Sequence, residues 1–284
     1  SIETPAVLFV EVDRPEVRLV QIPEPGEGQV FVRNLFTTIS PGTELRCLAG
    51  LQPDSEPWGY IPGYISVGKV ERAGKGAESY VGQVFLYGGT LEASVPRMWG
   101  AHVGCSLQDP ANLFELKGLD PKFVGLAKLG AIAMRGVCAA KPTSGERVAV
   151  LGLGPIGQWS ARLFANAGAQ VTAFDLEESR REIARKGGID AHPAPEKPIA
   201  EFDIVVESTG SLTVAHQTYA WLRPVPWSGV PEPGTRRIVI QASYPADFAL
   251  PYQELFLAEA SVLMPRDQTP RELKQVIQLM ADDT

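Results

Sequence analysis

Cysteine and histidine are scarce. The 284 residues hold three of each, and Cys47, Cys105 and Cys138 lie far apart. Neither a CxxC pair nor a disulfide framework can be assembled from them, which fits a reducing compartment; each reads as a small core hydrophobe rather than a nucleophile. His102, His192 and His216 add no metal-ligand spacing and take no assigned role. Excess positive charge is also missing: a formal net charge of −7 leaves no basic footprint for nucleic acid, and Lys and Arg are nowhere interleaved with aromatics. No apolar run approaches the roughly 18 to 20 residues that span a bilayer. The start, Ser1-Ile2-Glu3-Thr4, lacks the charged region of a secretion signal. A cytoplasmic protein with neither membrane nor nucleic-acid partners is expected.

What remains is an ordinary globular composition, 44% hydrophobic and 21% charged, long enough for two cores. Residues 1–121 read as β-rich. Ala6 to Val12, Val17 to Ile22 and Gln29 to Phe36 are short β-prone runs between Pro and Gly punctuation, and the segments around Val67–Val70 and Val81–Phe85 continue the pattern. From about Pro121 the texture changes to longer amphipathic stretches, Lys122 to Ala140 being helical, and residues 122–284 alternate strands with helices. That alternation implies a parallel sheet. The expected fold class is an all-β domain (1–121) followed by an α/β, doubly wound Rossmann domain (122–284).

The most specific motif lies in the second half. Glu146 to Leu151 is an apolar, β-branched strand, and Gly152-Leu153-Gly154-Pro155-Ile156-Gly157 follows it at once. A helix then begins, with Ile156, Trp159, Leu163, Phe164 and Ala167 at helical spacing. Gly152 permits the tight turn, Gly154 lets the backbone approach a pyrophosphate, and Gly157 allows close helix-to-strand packing; the amides at the helix start face the anion. Pro155 is tolerated because early helical NH groups lack partners. A second strand, Gln170 to Asp175, ends in a carboxylate eighteen residues beyond Gly157, near the spacing expected of a ribose 2′-hydroxyl acceptor. Asp175 therefore favours NAD over NADP, with Leu176 beside it and Arg180 and Arg181 near enough to meet a phosphate or simply to lie on a solvated helix face. Further strands, Phe202 to Glu207 and Arg237 to Gln241, run into Ser208-Thr209-Gly210 and Ala242-Ser243, at the carboxyl edge where doubly wound sheets place ligands. Pro224 to Gly234 is a surface excursion, with helices over Val214–Leu222 and Pro270–Met280 and a last strand over Ala260–Met264.

An all-β module followed by this unit resembles the medium-chain dehydrogenase/reductase superfamily, whose members join a GroES-like catalytic domain to a nicotinamide-binding domain. Beyond the glycine fingerprint, the resemblance rests on Ser40-Pro41-Gly42-Thr43-Glu44, on Pro62-Gly63-Tyr64-Ile65-Ser66-Val67-Gly68-Lys69-Val70, and on Val206-Glu207-Ser208-Thr209-Gly210. The first two motifs are nearest to the zinc-free members related to bacteriochlorophyllide dehydrogenases. In the zinc-dependent branch these motifs carry a cysteine, then a histidine and a glutamate; here the positions fall on Pro41, Tyr64 and Ile65. The third ligand would fall near Lys128 or Leu129. The resemblance thus implies NAD and no zinc. It also implies a homodimer paired through Ala260 to Met264, and strands after the last helix that would return to the catalytic domain. Their absence points to an incomplete sequence or to a lost piece.

The resemblance places Thr43 at a proton-relay hydroxyl and Tyr64 in the pocket vacated by the histidine ligand; satisfying nearby backbone and packing are the respective alternatives. Glu44 reads as structural, pairing with Arg46 or a lysine. Without a Lewis acid, a hydroxyl or amide must stabilise the developing alkoxide, which suits activated substrates such as conjugated ketones and benzylic-type alcohols. The expected activity is zinc-independent, NAD(H)-dependent interconversion of an alcohol and an activated ketone. An enone or quinone reductase using NAD(P)H is one alternative, and a non-catalytic nucleotide-responsive protein is another.

Overall fold

Two antiparallel strands, β1 (Ile2–Glu11) and β2 (Arg14–Ile22), open the chain as a hairpin that turns at Asp13, whose φ of 56° an Asp side chain tolerates. β3 (Val30–Thr37) leads into α1 (Pro41–Leu48), and β4 (Ser66–Ala73), β5 (Val84–Tyr87), β6 (Cys105–Gln108) and β7 (Phe114–Glu115) complete a five-stranded antiparallel sheet of order β6-β3-β4-β5-β7. The computed structural model describes residues 1–53 and 57–283. Alternation along β1 and β3 turns Ala6, Leu8, Phe31 and their neighbours Ile22, Ile61 and Leu107 into one core, while Val30, Val32, Val70, Phe85 and Tyr87 form a second. Both expected halves of the chain are thus present as a β-rich sheet and an α/β unit.

α1 was not foreseen in the sequence. Pro41 starts it because a first-turn NH needs no partner, and Glu44 in that turn suits the helix dipole. The helix expected over Lys122–Ala140 forms in two pieces, α2 (Pro121–Val124), capped by Asp120 Oδ1 on Lys122 N at 2.8 Å, and α3 (Leu126–Ala140). The stretch Pro121–Ala140 has a mean hydropathy of 1.5 and is long and apolar enough to cross a membrane, which corrects the expectation that no run is. More than half of it is buried within the protein. Val124, Ala127, Leu129, Ala131, Ala133, Val137 and Ala140 are its buried side chains, as in the core helix of a globular unit.

β8 (Arg147–Leu151), α4 (Pro155–Asn166), β9 (Gln170–Asp175), α5 (Glu178–Lys186), β10 (Asp190–Pro193), β11 (Ile204–Glu207), α6 (Leu212–Gln217), β12 (Arg237–Ile240), α7 (Tyr252–Leu257), β13 (Ser261–Leu263) and α8 (Pro270–Asp282) follow. The six strands are all parallel in the order β10-β9-β8-β11-β12-β13. That is the doubly wound arrangement whose strand order reverses beside β8. Strands β8, β11 and β12 are buried almost throughout, so they read as unbroken apolar runs. On α4 the buried face is Gly157, Ser160, Ala161, Leu163 and Phe164, whereas Ile156 and Trp159 are half-buried and Ala167 is exposed. The apolar stripe read from the sequence therefore holds at Leu163 and Phe164 and fails at its two ends, where close packing on the sheet takes the small Gly157, Ser160 and Ala161 instead.

The compact units are Ser1–Lys128 with the stretch from Lys274 onward, and Leu129–Leu273. A single boundary at 121 could not represent this, because the buried Val276 and Ile277 of α8 belong to the first unit. At the start of α8, the fully buried Glu272 accepts from Thr269 N at 2.6 Å, from the Thr269 hydroxyl, and from Arg135 Nη1 at 3.1 Å. Burial alone would raise its pKa, but the two Thr269 donors, the helix-start amide and Arg135 outweigh that and hold it at about 2. A carboxyl held below its ordinary 4.5 adds stability above that value and loses it as pH falls through about 2. Glu272→Gln is expected to cost on the order of 2 to 3 kcal/mol at neutral pH. It should also flatten the acid limb of the stability curve, measured by urea unfolding at a series of pH values.

Candidate active site

One cluster of candidate residues lies at the carboxyl ends of β8, β11 and β12, within the second unit. Gly152 has φ +87°, and a Cβ there would meet Thr209 Cγ2 at 2.8 Å; at Gly157 a Cβ would lie 1.9 Å from Gly152 O. The fold itself requires glycine at both positions. Gly154 is different: it caps α4 in an extended conformation that any residue adopts, and a Cβ would meet nothing within 4 Å. Its bareness leaves open space at a helix N-terminus that has no side-chain cap among the described residues, with Pro155 and Ile156 opening the helix, and such a cradle suits a diphosphate. The residues present therefore fit a dinucleotide.

Asp175, at the end of β9, is buried against this loop. Its Oδ2 accepts from Leu153 N at 2.6 Å and its Oδ1 from Glu177 N at 2.8 Å, leaving each oxygen a lone pair for a ribose hydroxyl. Arg180 Nη1 stands 3.6 Å from Oδ2 on a half-exposed side chain. Arg181 turns inward instead and clamps the carbonyls of Asp175 and Leu176 at 2.7 and 2.8 Å, while the Leu176 side chain is exposed.

Beyond β11, Ser208 Oγ donates to Leu151 O at 3.1 Å, and at Gly210, with φ +73°, a Cβ would lie 2.9 Å from Ser243 O. Ser208, Thr209, Gly210, Ala242 and Ser243 thus gather beside the glycine loop. Glu207 organises them, a role the sequence reading did not give it. Wholly buried, it accepts from Thr209 N at 2.7 Å, from the Thr209 and Tyr244 hydroxyls, and weakly from Gly210 N at 3.4 Å. Burial and then the Glu207 charge push the Tyr244 phenol well above its ordinary pKa, so it stays protonated and donates. The sequence signal was a carboxylate ending an apolar strand, Ile204-Val205-Val206-Glu207.

A second cluster belongs to the first unit. Tyr64 donates its phenol hydrogen to Ser40 Oγ at 2.6 Å, its ring meets Trp99 edge-on at 5.3 Å between centres, and Lys128 Nζ stands 5.9 Å from the ring centre. Thr43, half-buried in the first turn of α1, makes no side-chain hydrogen bond within the described residues. Glu44 was expected to pair with Arg46 or a lysine; among the described residues its partners are His102 and Ser40 instead. Its Oε2 meets His102 Nε2 at 2.6 Å and its Oε1 accepts from Ser40 N at 2.8 Å. His102, 58 residues away in sequence, carried no signal, because only β-sheet pairing brings it there. Burial pushes the Cys47 thiol up to about 11, which keeps it an inert core group.

The positions that the resemblance matched to metal ligands hold Pro41 at the start of α1, the Tyr64 phenol, the buried Ile65, and Lys128. A prolyl ring, an alkyl chain and an ammonium cannot ligate zinc. Among the described residues, no group of three or more His, Cys, Asp or Glu could hold a metal ion.

No protein-family model matches the chain. It is 26% identical over 186 residues to an L-galactonate-5-dehydrogenase of Escherichia coli K12, an alignment covering 61% of this chain and 51% of that protein. The match therefore spans about half the length of that curated relative. Among solved structures, an acetophenone reductase from Geotrichum candidum in complex with NAD superposes with a TM-score of 0.83 at 18% identity, over 99% of this chain and 87% of its own. A cobalt- and zinc-bound thermostable alcohol dehydrogenase from Pyrobaculum aerophilum does so at 0.80 and 22% identity, over 99% and 89%. At these identities the likeness is one of fold. The chain has the two-part fold of these dehydrogenases, an antiparallel β-rich unit with a parallel Rossmann sheet.

Proposed function

We propose that the protein is a medium-chain-type, NAD(H)-dependent oxidoreductase that interconverts an alcohol and an activated ketone without zinc. The observation that carries this reading is the glycine loop, closed at Gly152 and Gly157 but open at Gly154, with Asp175 tied beside it. A bound nicotinamide would accept or deliver the hydride. The chain's own residues manage the charge and the proton. In ketone reduction the Tyr64 hydroxyl donates to the substrate oxygen as it becomes negative and passes its proton across, and Ser40 turns its hydroxyl to stabilise the phenol oxygen left behind. Oxidation runs the same steps backward. Lys128, a cation close to the ring, favours negative charge on either oxygen. Thr43 adds a hydroxyl with unused hydrogen-bonding capacity. β13 is an open edge of the parallel sheet, and pairing of two copies there is the assembly this reading carries.

Reduction of acetophenone, quinones and enones by NADH and NADPH, with and without a strong chelator, tests the reading. Turnover of the ketone with NADH, unchanged by chelation and without stoichiometric zinc by elemental assay, is the expected result. NADPH-driven turnover of enones alone would favour the enone reductase. Cofactor binding with no turnover across the panel would leave a nucleotide-responsive protein. Asp175 sets the cofactor: a hydroxyl bonded to a charged group is worth about 1.5 to 3 kcal/mol, so NADH should bind roughly 10- to 100-fold tighter than NADPH. Asp175→Asn should remove most of that difference in a fluorescence titration.

A further inference from the structure

We infer that His102, acting through Glu44 and Ser40, is a positioning residue that keeps the Tyr64 phenol on aim; the inference rests on Tyr64 being the proton-handling group proposed above. The chain of contacts is continuous. His102 Nε2 meets Glu44 Oε2 at 2.6 Å, Glu44 Oε1 takes Ser40 N at 2.8 Å, and Ser40 Oγ takes the Tyr64 hydroxyl at 2.6 Å.

Each link has a physical reason to be rigid. The Glu44 and His102 side chains are only 6% and 9% exposed, so a carboxylate there must be paired or pay heavily in lost hydration. A carboxylate only accepts, so the network assigns the imidazole hydrogen to Nε2. The far nitrogen, Nδ1, meets the Thr37 hydroxyl at 2.9 Å. With both nitrogens engaged the ring cannot turn. Gly63, the residue before Tyr64, is bare for its sake: a Cβ there would lie 2.5 Å from His102 Nε2, and its φ of +85° suits glycine alone. The ring is thus seated against the backbone that carries Tyr64, while its partner carboxylate holds the turn that carries Ser40. Two hydroxyls on separate segments are thereby held together.

The test uses the full chain with His102→Leu, which removes the donor, and His102→Gln, whose amide can still donate near the Nε2 position. Tyrosine labelled with 13C at Cζ, assigned by Tyr64→Phe, reports the phenol hydrogen bond without any turnover; steady-state reduction of acetophenone by NADH reports its use. His102→Leu should move the Tyr64 resonance toward that of a solvated tyrosine and lower kcat about 10- to 100-fold, the scale on which small misplacements act. KM and NADH affinity should stay within about twofold, because the nucleotide loop lies elsewhere in the chain. His102→Gln should restore the resonance and most of kcat. An unmoved resonance in His102→Leu overturns the inference. So does a His102→Gln enzyme as slow as His102→Leu, since the imidazole itself would then move the proton. If the wild type reduces no substrate, the proposed function fails, and the resonance still decides the positioning chain.

Discussion

Aspartate in place of Gly154 is expected to leave the fold as stable as before, or slightly more so, and to abolish cofactor binding. Gly154 caps α4 with φ −66° and ψ −177°, extended backbone, so a side chain costs no strain, and nothing lies within 4 Å of a Cβ there. Asp is among the preferred N-cap residues and its charge suits a helix N-terminus, a gain of a few tenths to about 1 kcal/mol. The same carboxylate fills the open space and repels a diphosphate, and NADH affinity should fall at least roughly 100-fold, given that a displaced charge-assisted contact is worth about 1.5 to 3 kcal/mol before repulsion is added. Gly157→Ala is the contrasting variant. Its Cβ would sit 1.9 Å from Gly152 O, so it should lose stability and binding together. Thermal melts without cofactor and NADH fluorescence titrations separate the two cases. A Gly154→Asp protein that binds NADH as the wild type does would mean that the diphosphate does not rest on this helix.

Tyr64→Phe carries the other large effect. The ring keeps its contacts with Trp99 and Lys128 and loses only the hydroxyl that Ser40 accepts. Removing one donor aimed at a developing oxyanion costs about 10² to 10³ in rate, roughly 3 to 4 kcal/mol. The loss should fall on kcat, with KM and NADH affinity nearly unchanged, because the interaction strengthens only as charge develops on the substrate oxygen. A Tyr64→Phe enzyme within threefold of wild type in kcat would remove the phenol from the mechanism and return Tyr64 to packing. Ser40→Ala should show a smaller fall in the same direction, since the phenol remains but loses its partner.

The glycine loop and its sheet were legible because they are local. A strand, a turn that needs positive φ and a helix start occupy consecutive residues, and each leaves its mark within a few positions of Gly152. Asp175 was legible at one remove, through the regular length of the helix between two strands. The buried face of α4 was legible at Leu163 and Phe164 and not at Gly157, Ser160 and Ala161, which are inside because they are small. Glu207 was visible only as a carboxylate ending an apolar strand, and its partner Tyr244 lies 37 residues on, across a chain excursion with no regular period.

From the residues alone follow the two-part architecture, the parallel sheet and the place where a dinucleotide fits, since periodicity, turn chemistry and helix-start geometry act over short stretches of chain. Which groups face one another in the first unit was settled only by the folded sheet. Pairing of β3 with β4 and β6 sets Ser40, Tyr64 and His102 side by side from segments up to 62 residues apart. Burial then decides their chemistry, because a carboxylate withdrawn from water at Glu44 must find a donor, and the nearest that the fold supplies is His102.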